Sequence, residues 1–597
     1  MTRFAPIIFL LVGFVACKTD PAPAPAATWD VLDRPADEVV IRLPSDPTRL
    51  HPLLYGNDSY AAQVMRNIFQ YPMDFAYDAE MSLQPMLIVD EPALRDVELP
   101  GGGEGVAYTF DILPAARWDN GTPVTGHDYV FSVKAIFNPA VAAAPFRGYF
   151  TFIEDILVDA DNPKRFTVFT NQKTLLGKAA LANLTVMPAY HYDPDGLMQG
   201  IPLKTLLEAN ASGDEQLLDQ EPKLGQFATQ FGDAKYGRDP ASVTGSGPYR
   251  VESWTADDRL VLVRKDNWWG DALKNRYPQL AAAPRRLVYR IIPDQAAAVT
   301  ALKDGAVDVV SQIDSKAFQE LQTNELVARN YDLYTLPTFQ QFFIPLNTRS
   351  PLLRDKRVRR ALAHTLDAQA VIDQLYYGFG QRNASAVASS KAHYNRDLPL
   401  LQLDIERARA LLAEAGWTDT NGNGIVDKVI DGQTRDLTVR FLTSTSAFSK
   451  NLTALWQESA RRAGIRIEGI PGDGKTRGAA VRARDYDAYI RAIGGDPVPD
   501  DLTQLWHTDS DTPDGSNTAS YGDAESDALI EAIRTELDPD KRRVLYQQIQ
   551  QDIYDEQPAI FLFSPKDRLA VHKRLQYTPT SRKPGYYARG MALVAAN

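Results

Sequence analysis

From Glu38 to Phe563 the chain alternates short, β-branched apolar runs with longer segments whose apolar residues recur every three or four positions. No other feature restricts the fold as much. Strand-like runs interleaved with helical segments build sheets covered by helices, and the pattern excludes an all-β sandwich and a helical bundle. Residues 38–43 (EVVIRL), 106–112 (VAYTFDI), 249–254 (YRVESW), 259–265 (RLVLVRK), 286–293 (RLVYRIIP) and 306–313 (AVDVVSQI) read as strands. Residues 153–170 hold two more around an Asp161-Asn-Pro163 turn. Helical spacing predicts helices at 59–70 behind Ser59 as N-cap, at Gly126–Phe137, Gln295–Lys303, Asp355–Tyr377 and Leu403–Gly416. Between about 171 and 240 the chain is polar and weakly periodic. No internal repeat of fixed period is present.

Composition narrows what such a fold can be. The chain has 597 residues, 64 Lys+Arg against 76 Asp+Glu, and 44% hydrophobic residues, which is ordinary globular usage. A formal charge of −12 argues against nucleic-acid partners, which need clustered cations for phosphates. The single cysteine, Cys17, excludes an intrachain disulfide framework and a Cys-based zinc site. Its position is informative. Arg3 precedes an apolar run from Ile7 to Ala16, too short to span a bilayer but of the length of a secretory h-region. The run ends Phe14-Val15-Ala16-Cys17, which resembles a bacterial lipobox except at Phe14, where Leu is usual. Residues 1–17 are therefore expected to be a lipoprotein signal with Cys17 as the lipid attachment site. Residues 18–37, rich in Pro and Ala, form a semi-rigid tether.

Several stretches carry a family resemblance. In order they are LPSDPTRLHPLL after the first strand, YTFDILPAARWDNGTPVTGHDYVFSV, GSGPYRVESW with VRKDNWWG, RRLVYRIIPDQAAAVTALKDGAVDVV, LNTRSPLLRDKRVRRALAHTLDAQAVI and DIERARALLAEAGWTDTNGNGIVDK. Together the sequence resembles the bacterial extracellular solute-binding proteins of family 5, the oligopeptide- and dipeptide-binding type. The resemblance implies a two-lobed α/β fold of the periplasmic-binding-protein type (type II) with an additional inserted subdomain. It places the first lobe at 38–335, with the insertion at about 56–165, the second lobe at 336–552, and a C-terminal return to the first lobe over 553–597. Trp118 and the Asp119-Asn-Gly121 turn read as scaffold, as does Gly245-Ser-Gly-Pro248.

Two motifs point elsewhere. Gly469-Ile-Pro-Gly-Asp-Gly474-Lys475-Thr476 satisfies the Walker A spacing after a strand-like run, but no acidic strand end follows it and export would remove the chain from an ATP supply. It reads as a flexible Gly-rich loop. Asp419-Thr-Asn421-Gly-Asn423-Gly424-Ile-Val-Asp427 resembles the front of a calcium loop, yet position twelve is Ile430 where a bidentate Glu belongs. Seven scattered histidines, with no H-E-x-x-H and no G-x-S-x-G, give no hydrolase signature.

In peptide-binding members of the resembled family an aspartate within a W-x-x-D-Y-x-D-P stretch pairs with the ligand α-amino group. The corresponding stretch here runs Tyr489 to Asp501; Asp496 matches that aspartate and Arg491 lies near enough to hold a carboxylate, while the tryptophan is absent. Asp496 could instead shape a turn with Pro497, and Arg491 could pair with a neighbouring acid. The implied function is capture of a small solute, a peptide first, and delivery to an ABC permease, by a monomer without cofactor, metal or catalytic residues. The implied location is periplasmic or at the cell surface, held to the membrane by lipid. The alternatives are an exported lipoprotein hydrolase, a sensor or chaperone on the same scaffold, or a binder of an oligosaccharide or metal chelate. Cys17→Ala should convert a membrane-bound protein into a soluble exported one, read by fractionation with and without detergent; continued detergent-sensitive attachment would refute the anchor.

Overall fold

The computed structural model describes Pro35 and residues 37–76, 81–99, 102–214 and 216–594. The signal, Cys17 and almost all of the tether lie outside the described residues. The molecule is a two-lobed α/β protein whose lobes share one mixed sheet. At its centre Glu38–Leu43 runs parallel to Arg286–Ile291 and to Val309–Val310, and Arg259–Arg264 and Tyr249–Thr255 extend the sheet antiparallel. A separate four-stranded antiparallel sheet, Ala93–Glu98, Glu104–Asp111, Arg165–Thr170 and Ile153–Val158, packs its apolar face into the same core as the central strands.

The other lobe has its own core. Thr438–Thr443 pairs parallel with Arg466–Pro471 and Ala488–Tyr489, and the helix Ala447–Arg462 buries Trp456 against this layer. One long strand and two consecutive partners join the lobes. Ala559–His572 pairs through Ala559–Phe563 with Gln341–Pro345 and through Lys566–His572 with Tyr331–Pro337. Tyr331–Pro337 and Gln341–Pro345 are consecutive in the chain, so both crossings lie side by side.

The resembling stretches turn out to be joints and caps. Asp294, Asp355 and Asp404 each accept a backbone N–H at a helix start. Asp119 meets Lys265 at 2.5 Å and Thr244 Oγ1 at 2.6 Å, and the indole N–H groups of Trp268 and Trp269 both donate to Ser246 O. Gly247 donates to Ile68 O at 2.8 Å, and a Cβ there would sit 2.6 Å from that oxygen. The Asp119 turn and the Trp268-Trp269 pair thus brace the 244–247 segment, which docks just past the end of one short helix.

Other expectations are corrected. The cap of the first helix is Asp58, whose carboxylate accepts from Tyr60 and Ala61, with Ser59 already helical. The stretch after residue 200 is helical at Leu203–Ser212, Leu217–Gln220, Lys223–Phe231 and Lys235–Arg238; its apolar residues are few but placed on one face, with Leu206, Leu224, Phe227 and Phe231 fully buried. The helix Lys356–Thr365 turns one of its arginines inward. Arg359 is buried, donating to the carbonyls of Leu353, Arg354, Glu556 and Gln557, and so fastens the C-terminal end of Pro539–Glu556.

His51, within the first resembling stretch, is one of the buried fasteners. Its Nδ1 accepts from Leu53 and Leu54, and Nε2 donates to Phe231 O at 3.0 Å, with the Phe231 ring edge-on at 4.5 Å. Burial holds its pKa down at about 3. The folded state therefore keeps His51 neutral, while the unfolded chain takes the proton near its ordinary pKa of about 6.5. Stability is full above pH 6.5 and falls as pH drops toward 3, by about 1.4 kcal/mol per unit. Urea melts should show His51→Gln losing about 3 kcal/mol less than wild type between pH 7 and pH 4; parallel losses would refute this account.

Candidate functional site in the cleft between the lobes

The wall contributed by the second lobe grows directly from the crossing strands. Arg491–Ile493 pairs antiparallel with Gln341–Phe343, so the segment that follows is placed by the hinge itself. Gly495 then passes so close to the 338–340 junction that a Cβ would lie 2.6 Å from Phe339 O, a position only glycine tolerates.

Arg491 is half-buried. Its Nη1 donates to Ser516 O at 2.8 Å, Thr518 Oγ1 at 3.2 Å and Tyr489 OH at 3.4 Å. Neutral oxygens orient this guanidinium, and no carboxylate among the described residues comes within ion-pair distance of it. Asp496 stands three residues past the strand, with Oδ1 accepting from Val498 N at 3.0 Å in a local turn. Water reaches its side chain, yet protein surrounds it on most sides, as expected of a cleft wall. Desolvation raises its carboxyl above the ordinary range; Lys391 and Arg582 pull it down and Asp500 pushes it up.

Asp500 is pinned. Lys391 Nζ donates to Oδ1 at 2.9 Å and to Val498 O at 2.6 Å, His393 Nε2 meets Oδ2 at 2.9 Å, and the Tyr546 hydroxyl donates to the Asp500 carbonyl. Burial opposes ionisation of Asp500, but the His393 hydrogen bond and the Lys391 charge hold its carboxyl below the usual range. The His393 ring stacks on Tyr546 at 4.0 Å, which fixes this group as a rigid block beneath Asp496.

Arg582 comes from the first lobe, and its charge acts on Asp496. It bonds the fully buried Asp74, which also receives the Tyr587 hydroxyl and lies 3.5 Å from Arg66 Nη1, and it packs 4.6 Å over the Phe75 ring. The walls thus set Asp496 on one side against Arg582, itself paired with buried Asp74, on the other. A hollow beside them is lined by Met81 of the first lobe and by Phe339, Lys391, His393 and Pro497 of the second. The sequence reading named Arg491 and Asp496 as candidates; Lys391, Arg582 and Asp74, which the structure places around them, carry no signal in the sequence. Asp74 and Arg582 are 508 residues apart, and no local pattern links them.

The structure shows the local geometry of the two motifs that point elsewhere. Gly469–Thr476 is not a flexible loop: a strand ends at Pro471, and Asp473 caps the helix Gly474–Arg482 by accepting from Thr476 N at 2.7 Å. A carboxylate therefore occupies the position where a P-loop would receive phosphate. In the Asp419–Asp427 loop, Asp419 accepts from the backbone of Gly422, Asn423 and Gly424, and Asp427 accepts from Thr420. These oxygens are turned onto the loop's own donors, and no group of three or more His, Cys, Asp or Glu among the described residues is arranged to hold a metal. No helix among the described residues is long and apolar enough to cross a membrane.

Comparison with known proteins bears on this geometry. The model of the bacterial extracellular solute-binding proteins, family 5 Middle, matches residues 103–516. The oligopeptide-binding protein AppA of Bacillus subtilis is 27% identical over 340 residues, covering 56% of this chain and 58% of that protein. Its structure in complex with a nonapeptide superposes with a TM-score of 0.61 at 20% identity, over 94% of this chain and 99% of that one. The nickel-binding periplasmic protein of Escherichia coli is 22% identical over 537 residues, 88% of each chain. HbpA2 of Haemophilus parasuis gives a TM-score of 0.71 at 18% identity, over 94% of this chain and all of that one.

The pinned block generates a prediction independent of any ligand. Asp500→Ala leaves the Lys391 ammonium, 3% exposed, without its acid. The loss should be about 3 kcal/mol, the low end for breaking a buried pair because water reaches part of the carboxylate. Thermal unfolding reads it; a melting temperature within a degree of wild type would count against the block.

Proposed function

This chain belongs to the bacterial extracellular solute-binding proteins of family 5, and we propose that it captures a peptide between its lobes and hands it to an ABC permease. The observation that carries the peptide reading is the presence, on one cleft wall, of an exposed acid, Asp496, and of a guanidinium, Arg491, that has no carboxylate partner among the described residues. An α-amino group and a carboxylate are the charges every linear peptide carries, and each would gain a charge-assisted hydrogen bond here. AppA of Bacillus subtilis, described as oligopeptide-binding, supports the same reading.

In this reading residues 38–335, with their inserted subdomain, and the C-terminal strands form one jaw, and residues 336–552 form the other. The two largest apolar cores support that division, except that Ile560, Leu562 and Phe563 of the long shared strand pack into the second. Capture works by hinge closure about the paired crossing strands, which expels water and strengthens the charge contacts. Closure itself is the signal to the permease, and no bond in the ligand is made or broken. Cys17 tethers a monomer to the membrane outside the cytoplasm through the Pro/Ala-rich segment.

Mass spectrometry of small molecules released from the native protein identifies the ligand. With that ligand in titration calorimetry, Asp496→Asn should weaken binding about 100-fold, consistent with roughly 3 kcal/mol for an uncompensated buried ammonium. The free variant should melt within about 0.5 kcal/mol of wild type, because its turn is kept. Unchanged affinity would remove the amine anchor and leave an uncharged solute such as an oligosaccharide as the ligand.

A further inference from the structure

The lobes also touch through a loop of the first lobe, which enters a cluster flanking the crossing strands at Phe343 and Phe561. After Arg165–Thr170 of the small antiparallel sheet, the loop 171–176 reaches across to the second lobe. Leu175, 8% exposed, is buried in the second lobe's cluster with Phe343, Trp506, Ile530 and Ile533, and Leu176 packs against the same cluster. The strands that carry this loop belong to the first lobe's core.

The backbone is engaged as well. Leu175 N donates to Arg534 O at 2.6 Å. Arg534 lies in the last turn of the helix Ala524–Thr535, where carbonyls have no partner within the helix. One contact thus buries an apolar side chain and satisfies an orphan helix carbonyl. The loop is braced from its own side: Lys173 pairs with Asp96 at 2.9 Å, and a Cβ on Gly177 would sit 2.9 Å from Thr174 and 3.0 Å from the Tyr108 hydroxyl.

The helix end it grips leads to the cleft. Arg534 Nε lies 3.5 Å from Asp501, the neighbour of Asp500 in the block that supports Asp496. We infer that Leu175 is a closure latch, a positioning residue that sets the balance between open and closed lobes without touching the ligand. This rests on the reading that the lobes close on a solute, and it holds whatever that solute is. Burial of a leucine favours the closed state only when the second lobe is in reach, so the latch biases closure before any ligand arrives.

The test reads lobe separation in the free protein. Spin labels on Leu157→Cys and Val429→Cys, both exposed and on different lobes, are placed in the full chain carrying Cys17→Ala, and their distances are measured by pulsed dipolar spectroscopy. Leu175→Ala should raise the population at long distance about tenfold relative to the closed one, whereas Leu175→Met, which conserves volume, should keep the wild-type distribution. Thermal melts of the labelled proteins confirm that each variant is folded. Distributions that coincide in wild type and Leu175→Ala would overturn the latch and leave solute capture untouched. A widening caused equally by Leu175→Met would overturn it too, since it would show general disturbance of the loop. If Leu175→Ala separates the lobes but the co-purified ligand binds it with wild-type affinity, the latch stands as a contact and its control of capture is refuted.

Discussion

The structure depends on one hydrogen-bonded ladder. Ala559–His572 is a single strand that belongs to both lobes, pairing with Gln341–Pro345 at one end and Tyr331–Pro337 at the other. Because strand and partner cross together, the lobes can bend about the ladder but cannot slide along it without breaking every bond in turn. The ladder is weakest where it should flex. Pro337 and Pro565 stand near the junction and lack N–H groups, and the register with Gln341–Pro345 shifts between Phe342 and Phe343. Thr338 Oγ1, donating to Pro565 O at 2.7 Å, bridges the gap with a side chain.

From that ladder the cleft wall follows with few free variables. Gln341–Phe343 fixes Arg491–Ile493, Gly495 hugs Phe339, and Asp496 emerges after that close approach. Lys391, also near the junction through its 5.4 Å contact with the Phe339 ring, returns to pin Asp500. A change in the angle between the lobes therefore moves the charged wall as a unit toward Arg582. In the proposed function that coupling suits a hinge to capture, since the candidate binding groups are oriented by the element that bends.

Much of the architecture was legible because it is local. Gly126–Phe137 and Gln295–Lys303 follow from apolar spacing and caps within a dozen residues. The helices between 203 and 238 were not, because Pro202 and Pro222 start two of them without a side-chain cap and their apolar faces are narrow. The P-loop lookalike failed for a related reason: spacing alone does not reveal that Asp473 turns inward onto Thr476 N. At the candidate site, Arg491 and Asp496 were proposed through a resemblance carried by a short stretch. Asp74 and Arg582 come from opposite ends of the chain, and only the folded first lobe brings them together. Leu175 was equally hidden, since a leucine in a loop has no pattern until the opposite lobe supplies its pocket.

If Arg491 and Asp496 hold the solute as proposed, the electrostatics of the wall make closure and recognition one event. Arg491 is oriented by a backbone carbonyl and two hydroxyls, so its charge is held in place without being cancelled. Lys391, by contrast, is cancelled by Asp500, and its role is to keep the block rigid. In the open cleft water screens Arg491 and Asp496, and a ligand charge gains little from either. When the lobes meet, water leaves and the same charges become costly unless a complementary group lies between them. A solute with matched charges therefore stabilises the closed form, and one without them leaves uncompensated charge in a drying cleft. Discrimination on this wall thus comes as much from the penalty on wrong ligands as from attraction to the right one.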